Sequence, residues 1–411
     1  MEQLLGSYRV LDLSDEKGMF CGKTLGDFGA DVIKIEPPGG SPARNIGPFY
    51  HDIPDPEKSL FWFAYNSSKR GITLNIETSD GQEILKRLVK TADFVVETST
   101  PGYMESLGLS YGNMSRINPG IIVCSITPFG QTGPYKDYKS SDLIASAMGG
   151  LLYICGDPDR PPVRTNADIV YCLAGVQSAM AMIFAHHYRR HSGEGQHIDV
   201  SLQECVTNIL WHTQQYWDLE KEVVTRLGKY MKRQPHNGRV NWACKDGSVS
   251  WQMHTAYTGD WTRHLVEWMA EEDMASDELK GIPWEKIDYD ELTQEQIDRW
   301  GDEFARFFLS KTKADLMEQS LRREFMLFPC NNMKDCVEDE QLAARGFWVE
   351  VDHPELEDRI LYPGAPLLLN EAQWSMSRRA PLIGEHNEEV YISELGFSKE
   401  QLVLLKEGNV I

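Results

Sequence analysis

Within the first 130 residues, short runs of β-branched and apolar side chains alternate with stretches whose apolar residues recur at helical spacing. No other feature narrows the fold as far. "YRVLDLS" is a short β-rich run, a helical stretch follows through "KTLGDFG", and "ADVIKIE" is a second strand. "SDGQEILKRLVKTA" opens on an Asp-containing cap and carries Ile84, Leu85, Leu88 and Val89 on one helical face, before the strand "DFVVE". "GIIVCSI" comes after one more helical stretch. Strands separated by helices of this length predict a parallel α/β sheet with right-handed crossovers.

From about Thr225 the pattern changes. "DGSVSWQM" reads as a hairpin strand, and acidic, Trp-rich helices follow through "EWMAEEDMASDELKG" and "LTQEQIDRWGDEFARFF". A chain of 411 residues has room for two domains, and residues 225–330 are the expected smaller one. "GFWVEVDHPEL" and "ILYPGAP" then return to strand-like patterns ahead of a helical C-terminus.

Partner classes are limited by charge. A formal net charge of −21 opposes nucleic acid, which demands a basic surface, and opposes docking on anionic membranes. "MEQLLGSYRV" has neither a basic leader nor a long apolar run, and no uninterrupted apolar segment approaches membrane-spanning length, so a cytoplasmic protein is expected. The eight cysteines (Cys21, Cys124, Cys155, Cys172, Cys205, Cys244, Cys330 and Cys336) form no CxxC pair, a pattern of free thiols in a reducing compartment.

Two nucleotide or metal readings are weak. Gly18, Gly22, Gly26 and Gly29 follow the first strand and Glu36 ends the second, where a ribose-binding acid of a nucleotide-dependent oxidoreductase sits, but the GxGxxG spacing is absent. Glycines four apart on a helix serve close helix–sheet packing. His187 and His191 share a helix face in "HHYRRHSGEGQH", yet basic residues near a helix end at Gly193 suit the helix dipole, and no acidic third ligand is apparent. No metal is expected. GxSxG, Walker and HExxH motifs are absent.

Six stretches together resemble the class III CoA-transferases, the family of formyl-CoA transferase and carnitine CoA-transferase. They are "FGADVIKIEPPGG", "NSSKRGITLNI", "TPFGQTGPYKDYKSSDLIASAMGG", "HSGEGQHIDVSLQE", "ARGFWVEVDHPEL" and "APLIGEHNEEV", in the family's order and across nearly the whole chain. The resemblance implies a Rossmann-like large domain from both chain ends, residues 1–224 and 331–411, with a smaller α+β domain inserted at 225–330. It also implies that two such chains interlock as a dimer. The chemistry implied is attack of an aspartate carboxylate on an acyl-CoA thioester, followed by an aspartyl-CoA thioester and transfer of CoA to an acceptor acid.

In the family pattern this aspartate precedes a helix-opening glycine by four residues and the Gln of "GxGQ" by 25. Here Gln196 and Gly175 both assign the position to Tyr171. A phenol with a reference pKa of about 10 is ionised to only about 0.1% at neutral pH, and it forms neither the anhydride nor the thioester intermediate. Asp168 is the fallback nucleophile, at the cost of a three-residue shift. Its plainer role is a helix N-terminal or capping acid.

Other positions depart from the family too. Its N-terminal loop usually reads Ala-Gly-Pro, where this chain has "SDEKGMF". Thr98 replaces a CoA-holding Asn, and Ser106 replaces a phosphate-contacting Arg or Lys. Leu74 matches an adenine contact, Lys139 a phosphate-binding lysine and Asp142 an active-site acid.

The resemblance therefore implies a non-nucleophilic subunit paired with a paralogous chain that bears the Asp. Together they move CoA, as a substrate, from succinyl-CoA to an aromatic dicarboxylic acid such as (R)-benzylsuccinate. The alternatives are an active homodimeric acyl-CoA:carboxylate CoA-transferase using Asp168, or a displaced carboxylate such as Asp142, and the nucleotide-dependent oxidoreductase.

Overall fold

The computed structural model describes residues 3–210, 212–233, 236–372, 374 and 376–411, with the Arg233 side chain excepted. The chain packs as two units, one of residues 1–152, 164–222 and 340–411 and one of residues 153–163 and 223–339. The segment 153–163 belongs with the second unit although nothing in its sequence marks it off.

The first unit opens with β1 (Arg9–Asp12), α1 (Met19–Asp27), β2 (Asp31–Glu36), α2 (Leu60–Asn66) and β3 (Lys69–Thr73). It continues through α3 (Ser79–Val89), β4 (Phe94–Glu97), α4 (Tyr103–Ser106), α5 (Tyr111–Ile117) and β5 (Ile122–Thr127). Next come α6 (Asp142–Met148), a short α7 (Leu151–Ile154), α8 (Ile169–Ser192), β6 (His197–Ser201), α9 (Leu202–Ile209) and α10 (His212–Gln215). All six strands are parallel, in the order β3-β2-β1-β4-β5-β6.

Near-continuous apolar strands arise because both faces of the sheet are covered. Ile122, Cys124 and Ile126 of β5 join the core under α1 and α8. Val123, one residue out of phase, joins the core that holds Leu85 and Leu88 of α3 and Met114 of α5. Helix α3 starts as its sequence predicts, except that Thr78 is the cap, its hydroxyl accepting the Gly81 N–H at 3.0 Å, while Asp80 sits in the first turn. The glycines of α1 serve packing: a Cβ on Gly22 would lie 2.3 Å from Asp12 Oδ2, and one on Gly26 would lie 2.8 Å from the Ser68 carbonyl oxygen.

Helix α8 corrects one expectation. Its 24 residues are long and apolar enough to cross a membrane by length and composition. Val170, Ala174, Ser178 and Met182 are buried on one of its faces, and the helix packs against α1 and β5.

In the second unit, the hairpin β7 (Tyr230–Arg233) and β8 (His236–Arg239) precedes β9 (Asn241–Cys244) and β10 (Gly247–Trp251). These are followed by α11 (Gly259–Glu271), α12 (Asp277–Gly281), α13 (Gln294–Leu309), α14 (Lys313–Arg322), β11 (Leu327–Pro329) and α15 (Met333–Val337). The antiparallel sheet β11-β10-β9 and the acidic helices enclose an aromatic core that includes Trp242, Trp251, Trp284, Trp300 and Phe304. The Trp-rich segments are thus amphipathic, with acids outside and indoles inside.

The chain then re-enters the first unit with α16 (Glu340–Ala344), the hairpin β12 (Trp348–His353) and β13 (Asp358–Pro363), and α17 (Lys399–Glu407). Tyr391 ties this C-terminal portion to β3, its hydroxyl donating to the Thr73 carbonyl oxygen at 2.6 Å.

Candidate functional site

A parallel sheet binds ligands outside the carboxyl ends of its strands, where the winding direction reverses. In the order β3-β2-β1-β4-β5-β6 that point lies between β1 and β4. The chain there is the turn 13–18 after β1 and the segment from Thr98 after β4. The Thr98 hydroxyl joins them, accepting the Asp15 backbone N–H at 2.9 Å. Gly18 is needed at this crossing, since a Cβ would come within 2.8 Å of Thr98 Cγ2. Thr98 is buried and therefore fixes the turn from below.

The first turn of α8 completes the site. Gly175 lets α8 approach α1 closely: a Cβ there would stand 2.9 Å from Phe20 Cβ and 3.0 Å from the Cys21 nitrogen. One turn earlier on the same helix, Tyr171 is 8% exposed. Burial pushes its phenol well above the ordinary tyrosine range, and Glu16 and Asp15 of the turn add to the shift. The residue at the sequence-assigned nucleophile position is a protonated phenol among carboxylates.

Asp168 occupies the N-cap position of α8, but its side chain makes no capping bond. It pairs with Arg164 instead. The cap comes from Asp142, whose Oδ2 accepts the N–H groups of Val170 at 2.9 Å and Tyr171 at 3.3 Å. The capping role read for Asp168 thus belongs to a residue 26 positions earlier, because α6 delivers its own first-turn acid to the start of α8. Burial pushes the Asp142 carboxyl up and the nearby Asp168 adds to this, while the two backbone donors oppose it. A carboxylate engaged by two backbone donors is poorly disposed to attack a thioester.

The remaining predicted residues scatter around this centre. Lys139 is exposed in the loop before α6. Ser106 is exposed at the end of α4, its hydroxyl donating to the Tyr103 carbonyl oxygen at 2.7 Å. Leu74 is 2% exposed, a core residue packed with Ile35, Leu85 and Tyr391.

Other residues near the site carry weaker sequence signals. Tyr65 places its hydroxyl 3.6 Å from Cys172 Sγ and its ring edge-on to Phe20, with centroids 5.9 Å apart. Burial raises both the Tyr65 phenol and the Cys172 thiol, which stay protonated. Beneath the turn lie Asp12, Lys34 and Lys69, all buried. Lys34 inside the apolar strand "DVIKIE" was the available signal, while Lys69 in the polar run "KRGIT" carried none. Beside β4 and β5 a separate cavity of about 310 Å³ is lined by Glu97, Tyr111, Ser125, Gln131 and His197. In it Ser125 Oγ and His197 Nε2 are 2.9 Å apart.

The nucleotide reading fails on its acid. Glu36 is buried and held by Arg44 through two contacts of 2.7 and 2.8 Å, so it offers no carboxylate to a ribose. His187 and His191 lie exposed near the end of α8, where His191 Nδ1 is 3.0 Å from the His187 carbonyl oxygen. Among the described residues, no group of three or more His, Cys, Asp or Glu is gathered as a metal site.

A six-stranded parallel sheet whose winding reverses between β1 and β4, with the start of a long helix beside that point, defines a doubly wound α/β protein. The comparisons make the class specific: residues 5–387 match the model of CoA-transferase family III, and the chain belongs to that family. It is 34% identical over 413 residues to the succinyl-CoA:(R)-benzylsuccinate CoA-transferase subunit BbsE of Thauera aromatica, covering 100% of this chain and 99% of that one. It is 30% identical to a formyl-CoA:oxalate CoA-transferase of Streptomyces coelicolor, covering 99% of each chain. A CAIB/BAIF family protein of Brucella suis has the same fold, with a TM-score of 0.81, 25% identity, and coverage of 96% of this chain and 100% of that one.

Proposed function

We propose that this chain is the non-nucleophilic subunit of a heteromeric class III CoA-transferase, and that its partner is a paralogous chain bearing the aspartate. The observation that carries the reading is the phenol of Tyr171 one helical turn before Gly175, where the helix packs on Phe20. Asp142 supports it, since that carboxylate is engaged by two backbone N–H groups. Succinyl-CoA as donor, and an aromatic dicarboxylic acid such as (R)-benzylsuccinate as acceptor, follow from likeness to a relative named for that reaction. Its name also marks it as a subunit.

A stripe on α8 that is exposed among the described residues supports assembly with a second chain, in keeping with the interlocked dimer expected of the family. Val176, Met180, Phe184 and Tyr188 recur every four residues and are 47%, 50%, 64% and 58% exposed. A row of large apolar groups in water marks an interaction surface.

The test is covalent trapping. This chain, alone and co-expressed with its genomic neighbour, is incubated with succinyl-CoA and quenched with hydroxylamine, and hydroxamates are mapped by peptide mass spectrometry. A label confined to an aspartate of the neighbouring chain supports the heteromer. A label on Asp168 of the isolated chain overturns it in favour of the second reading, an active homodimer. That reading has one observation in its favour: the Asp168 side chain is 28% exposed at the helix N-terminus.

A further inference from the structure

We infer that Lys34 and Lys69 are positioning residues for the candidate site, fixing the turn 13–18 and the start of α1 by gripping their backbone carbonyls from beneath. Both ammonium groups converge on Asp12, at the end of β1. Lys34 Nζ lies 3.1 Å from Asp12 Oδ1 and Lys69 Nζ lies 2.8 Å from Oδ2, and all three side chains are at most 1% exposed.

Each lysine then reaches beyond the carboxylate to a different end of the segment. Lys34 donates to the carbonyl oxygen of Ser14, at the head of the turn. Lys69 donates to the Met19 carbonyl oxygen at 2.8 Å, in the first turn of α1, and to Asn66 Oδ1 at 2.9 Å. Asp12 returns the contact by accepting the Ser14 N–H at 3.0 Å and its hydroxyl at 2.5 Å. A segment with a grip at each end has little freedom between them, and Asp15 and Glu16 are the residues near Tyr171.

The charge balance suits a device rather than a simple ion pair. Two ammonium groups share one carboxylate, so the cluster carries a surplus positive charge in a fully buried place, a costly arrangement. Burial pulls the Lys69 ammonium down to about 8, with Lys34 acting in the same direction and Asp12 and Cys21 opposing. Burial favours a protonated Asp12, but Lys34 and Lys69 outweigh it and hold this carboxyl below the usual range. The charged and titratable groups facing Lys69 are Asp12 from β1, Lys34 from β2, and Cys21 and Asp27 from α1. Lys69 therefore loses its charge at a lower pH than an ordinary lysine does.

The inference rests on the proposed site for its relevance to catalysis, so its first arm is independent of any partner. Lys69→Met leaves Asp12 and Lys34 as a balanced pair, and Lys34→Met leaves Asp12 and Lys69, so each variant removes one grip. Hydrogen–deuterium exchange on the isolated chain at pH 7 is expected to speed up about tenfold at amides 13–18 in Lys34→Met. In Lys69→Met the same rise is expected at amides 19–22, and exchange across α3 is unchanged in both.

The second arm uses the active complex. KM for succinyl-CoA is expected to rise about tenfold in Lys34→Met with kcat within twofold. In the wild type KM is expected to climb as pH passes about 8, and that climb is absent in Lys69→Met. Exchange unchanged at 13–22, or raised equally across the unit, overturns the positioning role. Faster exchange confined to 13–22, with no active complex found, preserves that role and counts against the heteromer alone.

Discussion

The Asp142 carboxylate caps a helix to which it does not belong, with Oδ2 2.9 Å from the amide nitrogen of Val170 at the start of α8. This one contact joins α6 to the turn that carries Tyr171, and it explains why Asp168 at the N-cap position is turned away toward Arg164. Capping of a 24-residue helix by a buried acid is a stability feature first. Asp142→Ala is expected to lower the unfolding free energy by about 1–2 kcal/mol, as loss of a charged N-cap does. Asp142→Asn, which keeps an acceptor, is expected to lose less than half of that. Urea melts of the two variants make the comparison.

Gly175→Ala is expected to destabilise although alanine favours helix. The helical gain is about 1 kcal/mol. The new Cβ would stand 3.0 Å from the Cys21 nitrogen, a backbone atom, so α8 must move away from α1. Overpacking of this kind costs about 1–3 kcal/mol. A reduced urea midpoint with an unchanged slope is the expected result.

Tyr171→Phe tests the position that the sequence register assigns to the nucleophile. It removes the hydroxyl and keeps the ring within the core. Turnover of the reconstituted complex is expected to stay within twofold, measured by thioester exchange under steady-state conditions. A loss of a hundredfold or more would restore a chemical role to this side chain.

Glu97 gives a pH signature. The carboxyl is buried, and desolvation raises it above the ordinary glutamate value of 4.5 despite hydrogen bonds from Ser125 and Ser99. The folded chain therefore holds its proton more tightly than the unfolded chain. Its stability contribution is fully present below 4.5 and is lost as pH rises through the higher folded value. Glu97→Gln is expected to abolish this dependence and to raise the thermal midpoint at pH 7, with the advantage vanishing near pH 4. Melts at pH 4, 5.5 and 7 read the sign.

The exposed stripe on α8 predicts an assembly defect without a folding defect. Phe184 is 64% exposed, so Phe184→Glu removes no core contact. Sedimentation velocity of the co-expressed pair is expected to show separate chains for this variant, while its circular dichroism and melting stay those of the wild type.

The strands β1, β2, β4 and β5, helix α3 and the Trp-rich helices of the second unit were legible in the sequence because each follows from a local period of apolar residues, whereas β3, "KRGIT", has no such period. The family resemblance likewise came from contiguous motifs. What the sequence leaves open depends on contacts between distant positions. Asp142 and Asp168 are both acids near helix starts, and only packing decides that Asp142 caps α8 while Asp168 pairs with Arg164. Leu74 matches an adenine-contact motif, yet the sheet and the C-terminal portion enclose it. Lys34 and Lys69 are two charges in two separate strands until parallel pairing of β1, β2 and β3 brings them to Asp12. Apolar periodicity is short-range and is written along the chain. The ownership of a hydrogen bond or a buried charge is settled between strands and helices far apart in sequence, where burial makes each unpaired group costly.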